Sequence, residues 1–342
     1  MFPATLSPIS NVFTERVERA RAIGLWGATA GVAVALGPIV GGWLLERSSW
    51  NSIFFAMAPV AAGAALLICC YVPTSRDPDV AGADRPGLVL SAAAMAVLIF
   101  TIIEAPGYGW GSARTLGGFA LAGALGAAFA VTERRVRAPM LDISLFGNPR
   151  FTAASASVTI AFFNLFGFIF LITQCFQFKG YSPLSAGVHV LPVALSIGVT
   201  SVLGTRLAVR FGTKLLVAVG LLATAGFFVW VSTVTVSTGY GTIAAQMVLY
   251  GTGMGFTSAP ATEAIMGAVP AAKAGVGSAV NDATRLLGGT LGVAVIGSVF
   301  ASLYASRLTA ALPAHLPTAL VDTAHSSAGA ALAVAHELAL AG

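Results

Sequence analysis

Charge is what this chain has least of. Of its 342 residues, 18 are Lys or Arg and 13 are Asp or Glu, 9% together, where a soluble domain carries about 25%. So few charges cannot keep a water-exposed surface in solution, which excludes a soluble enzyme and a disordered protein. The net charge of +5 does not make a nucleic-acid partner either. The cations stand in short islands between apolar runs and build no basic face. Cysteine is scarce and odd in number. Cys69, Cys70 and Cys175 lack metal-ligand spacing and lie in apolar runs, where they are expected to pack as small hydrophobes. A phosphate-cradling Gly-x-x-x-x-Gly-Lys-Ser/Thr loop is missing, so nothing marks an ATP-driven pump. His, Cys and Glu form no cluster with metal spacing, and no catalytic constellation is visible. No enzyme activity, metal or cofactor is therefore expected. The first 21 residues carry Glu15, Arg16, Glu18, Arg19 and Arg21 and do not form a secretory signal.

What the chain does have is hydrophobicity, at 57% of residues. It is gathered into nine runs of the roughly 20 residues a helix needs to cross a bilayer: 22–46, 51–73, 86–105, 115–132, 151–176, 184–205, 213–234, 242–262 and 280–304. They are too long for barrel strands and lack period-2 alternation. The expected fold class is all-α, a polytopic membrane helix bundle of about nine full spans. The 39 glycines suit close helix packing in lipid. The basic residues fall into two alternating sets of loops. Thirteen lie in one set, Arg16, Arg19, Arg21, Arg76, Arg85, Arg134, Arg135, Arg137, Arg150, Arg206, Arg210, Lys214 and Lys273; the other set holds Arg47, Arg114, Lys179 and Arg307. By the positive-inside rule the first set is cytoplasmic and the tail after residue 304 is external. Residues 1–13 read as the last turns of a helix that starts earlier. Residues 326–342 are alanine-rich but interrupted by His336 and Glu337.

The sharpest local pattern is Gly37-Pro38-Ile39-Val40-Gly41-Gly42 in the first run. Proline bends the helix, and flanking glycines leave a flat face. A generic glycine-rich packing helix is one reading. The other is a resemblance: Gly-x-x-x-Gly-Pro-x-x-Gly-Gly is the antiporter motif of drug:proton antiporters in the major facilitator superfamily. It matches here at Gly37, Pro38, Gly41 and Gly42, with Ala33 at the first small position. Residues 19–27 and Trp43-Leu44-Leu45 resemble the fourteen-helix branch of these exporters, as do Pro3-Ala4-Thr5-Leu6-Ser7 and Glu104-x-Pro106-x-x-Gly109-Trp110. So do Pro139-Met140-Leu141-Asp142 with Leu145, Phe146 and Phe151, and Gln174-x-x-Gln177 through Leu191-Pro192. The block from Gly275 through Asn281, Arg285, Gly288 and Gly289 to Gly292 resembles the family's thirteenth helix.

This resemblance implies a division of the chain. Residues 1–73 are the remnant of the first six-helix bundle, comprising the end of helix four and helices five and six. Residues 74–145 are two extra linker helices, and 146–342 are the second bundle lacking its last helix. On that mapping the chain is a fragment or a mis-started reading frame, and is expected not to transport by itself. Gly204 to Arg210-x-Gly212-x-Lys214 resembles a degenerate copy of the family's cytoplasmic signature loop. Val209 replaces its Asp and Thr213 a second basic position, so Arg210, Gly212 and Lys214 are either a gate loop or plain topology charge.

Polar residues inside spans are the candidates for chemistry, because each is costly in hydrocarbon. Asp282 and Arg285 sit i,i+3 on one helical face and are read as a coupled pair with Asp282 as proton site. The alternative has both snorkelling to the cytoplasm. Glu104 at an outer edge and Glu263 near an inner end are further relay candidates, or interfacial carboxylates in water. Asn164, Gln174 and Gln177 line a cavity or join helices. Phe162, Phe163, Phe166, Phe168 and Phe170 contact an apolar ligand or face lipid. His189 is a titrating group or a packed hydrogen-bonder. Gly41, one turn past Pro38, is expected on a sliding face, so that in a restored full-length protein Gly41→Leu disturbs coupling far more than Gly123→Leu.

The function implied by the resemblance is proton-coupled export of small amphipathic compounds or drugs by alternating access. It would use the proton gradient as energy source, in a multi-pass cell-membrane protein. The expected partners are a small-molecule substrate, protons and the lipid bilayer, with no nucleic acid, and a monomer when full length. The alternatives are an exporter of a natural metabolite, or a non-transporting remnant or partner subunit.

Overall fold

In hydrocarbon every backbone N–H and C=O must be satisfied within the protein, and a helix does this within one segment. The computed structural model follows that rule. It describes residues 6–13, 15–71, 84–136, 139, 141, 143–235, 237–270 and 274–311, with 320, 321, 323, 324, 330, 331 and 334 near the end. Pro3 to Thr5, Arg76, Arg137, Met140, Asp142, Lys273, His336 and Glu337 lie outside the described residues. Among those described there is no strand. The helices are α1 (Leu6–Val12), α2 (Arg16–Arg47), α3 (Asn51–Tyr71), α4 (Arg85–Tyr108), α5 (Ala113–Glu133), α6 (Pro149–Phe178), α7 (Pro183–His189), α8 (Leu191–Phe211), α9 (Thr213–Val231), α10 (Tyr240–Ala268) and α11 (Ala274–Ala311).

Local chemistry sets the ends. The side chains of Asp84, Ser112, Asn148 and Ser182 accept hydrogen bonds from the first turns of α4, α5, α6 and α7, filling donors a helix start leaves open. Gly109 and Gly212, at φ of 89° and 90°, end α4 and α8, a conformation glycine adopts without strain. The run expected as one span over 184–205 is two helical pieces. It breaks between α7 and α8 just before Pro192, which supplies no N–H and starts the second piece instead.

Among the described residues, eight helical segments are long and apolar enough to cross a membrane, α7 and α8 counting as one. The ninth expected span is α10, which is long enough but not apolar enough to be counted with them. The reason is its position. From Tyr250 to Met266 only Thr252 and Phe256 escape burial, so α10 faces protein rather than lipid and tolerates Gln246, Ser258, Thr262 and Glu263. Phe168 and Phe227 pack on Tyr250 at ring distances of 4.7 Å each.

Small residues bring the backbones together. Gly288 and Gly292 of α11 lie against the carbonyls of Thr159 and Phe163 on α6, four residues apart on both helices. Along α2, Gly24, Gly27 and Gly31 meet Thr205, Ser201 and Gly198 of α8. A side chain added at any of these would separate the pair. The pair α4–α5, where two linker helices were expected, lies beside α11 through the Ser298 hydroxyl, which donates to the Ile102 carbonyl at 2.7 Å. α3 has no buried residue. Cys69 and Cys70 are exposed on it and are not packed as expected.

Contacts between helix ends agree with the alternating direction of the spans. At one end Glu263 meets Arg16 and Arg19. At the other, the Leu184 N–H donates to Glu46 at 3.0 Å, Lys179 Nζ to the Thr238 carbonyl at 3.0 Å, and Trp110 Nε1 to the Ser302 hydroxyl at 3.3 Å.

Candidate functional site

Five helices, α2, α6, α8, α10 and α11, enclose a cavity of about 460 Å³. Its walls are mostly apolar: Trp26, Phe162, Phe166, Ile169, Met254 and Leu286. The polar groups are few, namely Thr29, Ser201, Ser258, Asp282 and Arg285. Val34, Phe162, Ile197 and Met254 of its lining stand near the centres of the apolar runs 22–46, 151–176, 184–205 and 242–262, which places the cavity around the middle of the hydrocarbon core. Trp26 lies nearer the α2 start of that cavity.

Arg285 organises the polar side. Its Nη2 donates to the hydroxyls of Thr262 at 3.0 Å and Ser258 at 3.4 Å, both on α10. Its guanidinium carbon lies over the rings of Trp26 and Phe162, 4.5 and 4.6 Å from their centroids. A cation over an aromatic face gains about 0.5–2 kcal/mol, the more as water is removed from the contact. The Thr262 hydroxyl, having accepted from Arg285, donates to Asn281 Oδ1 at 3.0 Å, and both residues are fully buried. A continuous chain of polar contacts thus runs from α11 to α10 and back.

The expected pair makes no direct contact. Among the described residues, no contact of 4.0 Å or less joins Asp282 to Arg285. The guanidinium finds its acceptors across the helix interface, and one Asp282 oxygen, Oδ2, has no hydrogen-bond partner. The snorkelling alternative fails as well, since Asp282 is 6% exposed. Asp282 is a buried carboxylate on the cavity wall.

Glu263, next to Thr262, is 4% exposed and is not an interfacial carboxylate in water. One of its oxygens lies 3.7 Å from Arg16 Nε and 3.7 Å from Arg19 Nη2, tying α10 to the start of α2. Glu104 sits elsewhere, in a separate cavity between α4 and α5 with Tyr108 and Arg114. Asn164, Gln174 and Gln177 are not among the residues lining the central cavity. The α6 wall is aromatic and aliphatic instead, because Phe162, Leu165, Phe166 and Ile169 follow the helical period from one face. Phe168 is core and Phe170 packs edge-on against Phe300. His189 is a packed hydrogen-bonder: its Nδ1 lies 2.6 Å from the Ser185 carbonyl, with Tyr181 and Tyr240 against the ring.

The glycine–proline motif divides. A Cβ at Gly42 would lie 2.6 Å from the Pro183 carbonyl group, and one at Gly187 would meet the Pro38 carbonyl at 2.6 Å. Gly37 and Gly41 have nothing within 4 Å. The contact face therefore runs through Gly42 and not through Gly41, one position along and about 100° around the helix. Gly123 is equally open, so no contact among the described residues separates Gly41 from Gly123. Arg210 lies over Phe211 at 5.3 Å, while Gly212 and Lys214 border another cavity beside Arg16 and Arg150.

The sequence reading missed Trp26, Thr262 and Ser258. Trp26 carried little signal: five residues into the run 22–46, it fits the interfacial belt where tryptophan concentrates. Serine and threonine inside a span carry little, since their hydroxyls bond their own helix as readily as a neighbour.

The family model described as Major Facilitator Superfamily matches residues 1–293. The multidrug resistance protein Stp of Mycobacterium tuberculosis is 34% identical over 302 residues, covering 86% of this chain and 55% of its own length. The multidrug efflux pump LfrA of Mycolicibacterium smegmatis is 34% identical over 300 residues, 87% of this chain and 59% of its own. The tetracenomycin C resistance and export protein of Streptomyces glaucescens is 33% identical over 280 residues, 81% of this chain and 52% of its own. The chain spans a little over half the length of these relatives.

Proposed function

This chain belongs to the Major Facilitator Superfamily, and from that premise we propose that it forms the ligand-holding part of a proton-coupled exporter of small amphipathic compounds. The observation that carries this reading is the mid-span cavity, apolar on most sides with Asp282 and Arg285 on one wall. Aromatic and aliphatic walls receive the apolar body of a drug-like molecule, and a few placed polar groups orient its polar end. The names of the relatives, resistance and efflux proteins, support the same substrate class.

Asp282 is the proton carrier in this reading. A carboxylate with an unpartnered buried oxygen gains from either a proton or a ligand donor, so the two compete for it. Arg285, held by Thr262 and two aromatic rings, keeps its charge and position while Asp282 changes state. The energy source is then the proton gradient, and the small residues between α2 and α8 allow the helices to rock.

Binding and proton release test this together. The purified chain in lipid nanodiscs should bind ethidium saturably, and Trp26→Ala should weaken that binding by tenfold or more, for an expected loss of about 1.4 kcal/mol. Ethidium added in weak buffer should release protons from the unsubstituted chain and not from Asp282→Asn, since linkage is reciprocal. Ethidium binding that ignores Trp26→Ala would sink the cavity assignment. Proton release that persists in Asp282→Asn would sink the proton role alone. The tetracenomycin exporter favours a second reading in which the cargo is a natural product. Tetracenomycin C displacing ethidium more strongly than unrelated drugs would select it.

A further inference from the structure

A second cavity, of about 710 Å³, opens between the starts of α2, α6 and α9 and the inner part of α10. Three cationic side chains border it, Arg16, Arg150 and Lys214, and no acidic residue is among its lining. Arg16 shares Glu263 with Arg19. Among the described residues, Arg150 and Lys214 have no ion-pair partner within 4.0 Å. The Thr213 hydroxyl, also in the lining, is buried without a hydrogen-bond partner. α9 starts there with no side-chain cap, and the first residues of α6, Pro149 and Arg150, are in the lining too, so two helix N-termini add positive potential. Beyond the charges the walls turn apolar, through Ala153, Ala154, Val217, Ala218 and Leu221.

We propose that this cavity is a binding site for an anionic phospholipid of the cytoplasmic leaflet, its phosphate among Arg16, Arg150 and Lys214 and an acyl chain along the alanine-lined wall. The two halves of the site argue for a lipid and against a free anion. A soluble phosphate would use the cations and leave the apolar trough empty, whereas a phospholipid uses both. The membrane side fits. These residues stand at the end of the bundle where the positive-inside rule puts the cytoplasm, and that leaflet carries the anionic lipid which draws basic groups at its surface. Trough and charges are contributed by helices on both sides of the contact through which Arg16 and Arg19 hold Glu263, so an occupying lipid bridges elements that the ion pair also joins.

Native mass spectrometry of the purified chain with dioleoylphosphatidylglycerol, dioleoylphosphatidylcholine and inorganic phosphate tests this. The phosphatidylglycerol is expected to be retained preferentially. Each cation near an anionic headgroup contributes roughly fivefold, so the double substitution Arg150→Gln/Lys214→Gln should lower retention by an order of magnitude or more, while Lys214→Arg should keep it. Ala218→Leu, which narrows the trough without touching the charges, should also lower it. Unfolding followed by tryptophan fluorescence shows whether each variant is folded before it is scored. Equal retention of the two lipids, or undiminished phosphatidylglycerol in the folded double variant, would overturn the site. Displacement of phosphatidylglycerol by an equal concentration of inorganic phosphate would reassign it to a free anion and overturn the lipid.

Discussion

The guanidinium of Arg285 lies 3.0 Å from the hydroxyl of Thr262 on the neighbouring helix, and not on Asp282 one turn before it. The half-buried cation is thus held by hydroxyls and aromatic faces, and the nearby carboxylate is left available. That arrangement suits a site in which one charge stays constant while the other is titrated or engaged by a ligand.

Thr262 should be the costliest hydroxyl to remove. Thr262→Val takes an acceptor from Arg285 and a donor from Asn281 at full burial. The expected loss is about 1–3 kcal/mol, read as a lower midpoint for unfolding of the purified protein. Thr262→Ser keeps the hydroxyl and should recover most of it. A valine variant as stable as the parent would mean that the polar chain contributes nothing.

The Glu263 contact predicts coupling across the α2–α10 interface. Glu263→Gln and Arg19→Gln should each destabilise, and the double variant should lose less than the sum, by about 0.5–3 kcal/mol. Arg16, half exposed on its side of the same carboxylate, should couple more weakly because water screens it. Strict additivity for Glu263 and Arg19 would show that their 3.7 Å approach carries no energy.

Two glycines of α2 should behave oppositely. A methyl at Gly31 would meet the Gly198 nitrogen at 2.8 Å and the Ala194 carbonyl oxygen at 2.9 Å, backbone atoms that cannot turn away. Gly31→Ala should therefore cost about 1–3 kcal/mol. Gly41→Ala meets nothing within 4 Å and should gain up to about 1 kcal/mol of helix propensity. Detergent unfolding midpoints of the two variants decide it; equal losses would mean that α2 faces another way.

Orientation is open to labelling. With Cys69, Cys70 and Cys175 replaced by serine, a cysteine at Ser232, exposed just past the outer end of α9, should react with a membrane-impermeant maleimide in intact cells. One at Gly147, exposed before α6, should react only after permeabilisation. The reverse pattern would invert the bundle.

The sequence alone determined that this is a membrane helix bundle, set an expected direction for its helices and marked the superfamily to which they belong. Hydropathy and loop charge are sums over neighbouring residues, and lipid forces the backbone of each apolar run to satisfy itself as a helix, so these properties need no knowledge of what packs on what. Only the tertiary structure decided the partners. Spacing puts Asp282 and Arg285 on one face, but a guanidinium on a long side chain engages whatever surrounds it, here hydroxyls of α10 and an aromatic face of α2, remote in sequence. Burial turned Glu263 from an edge carboxylate into an ion-paired one. The glycine pattern announced a close approach but not its direction. Neighbouring positions on a helix point about 100° apart, so Gly42 touches α7 while Gly41 beside it touches nothing.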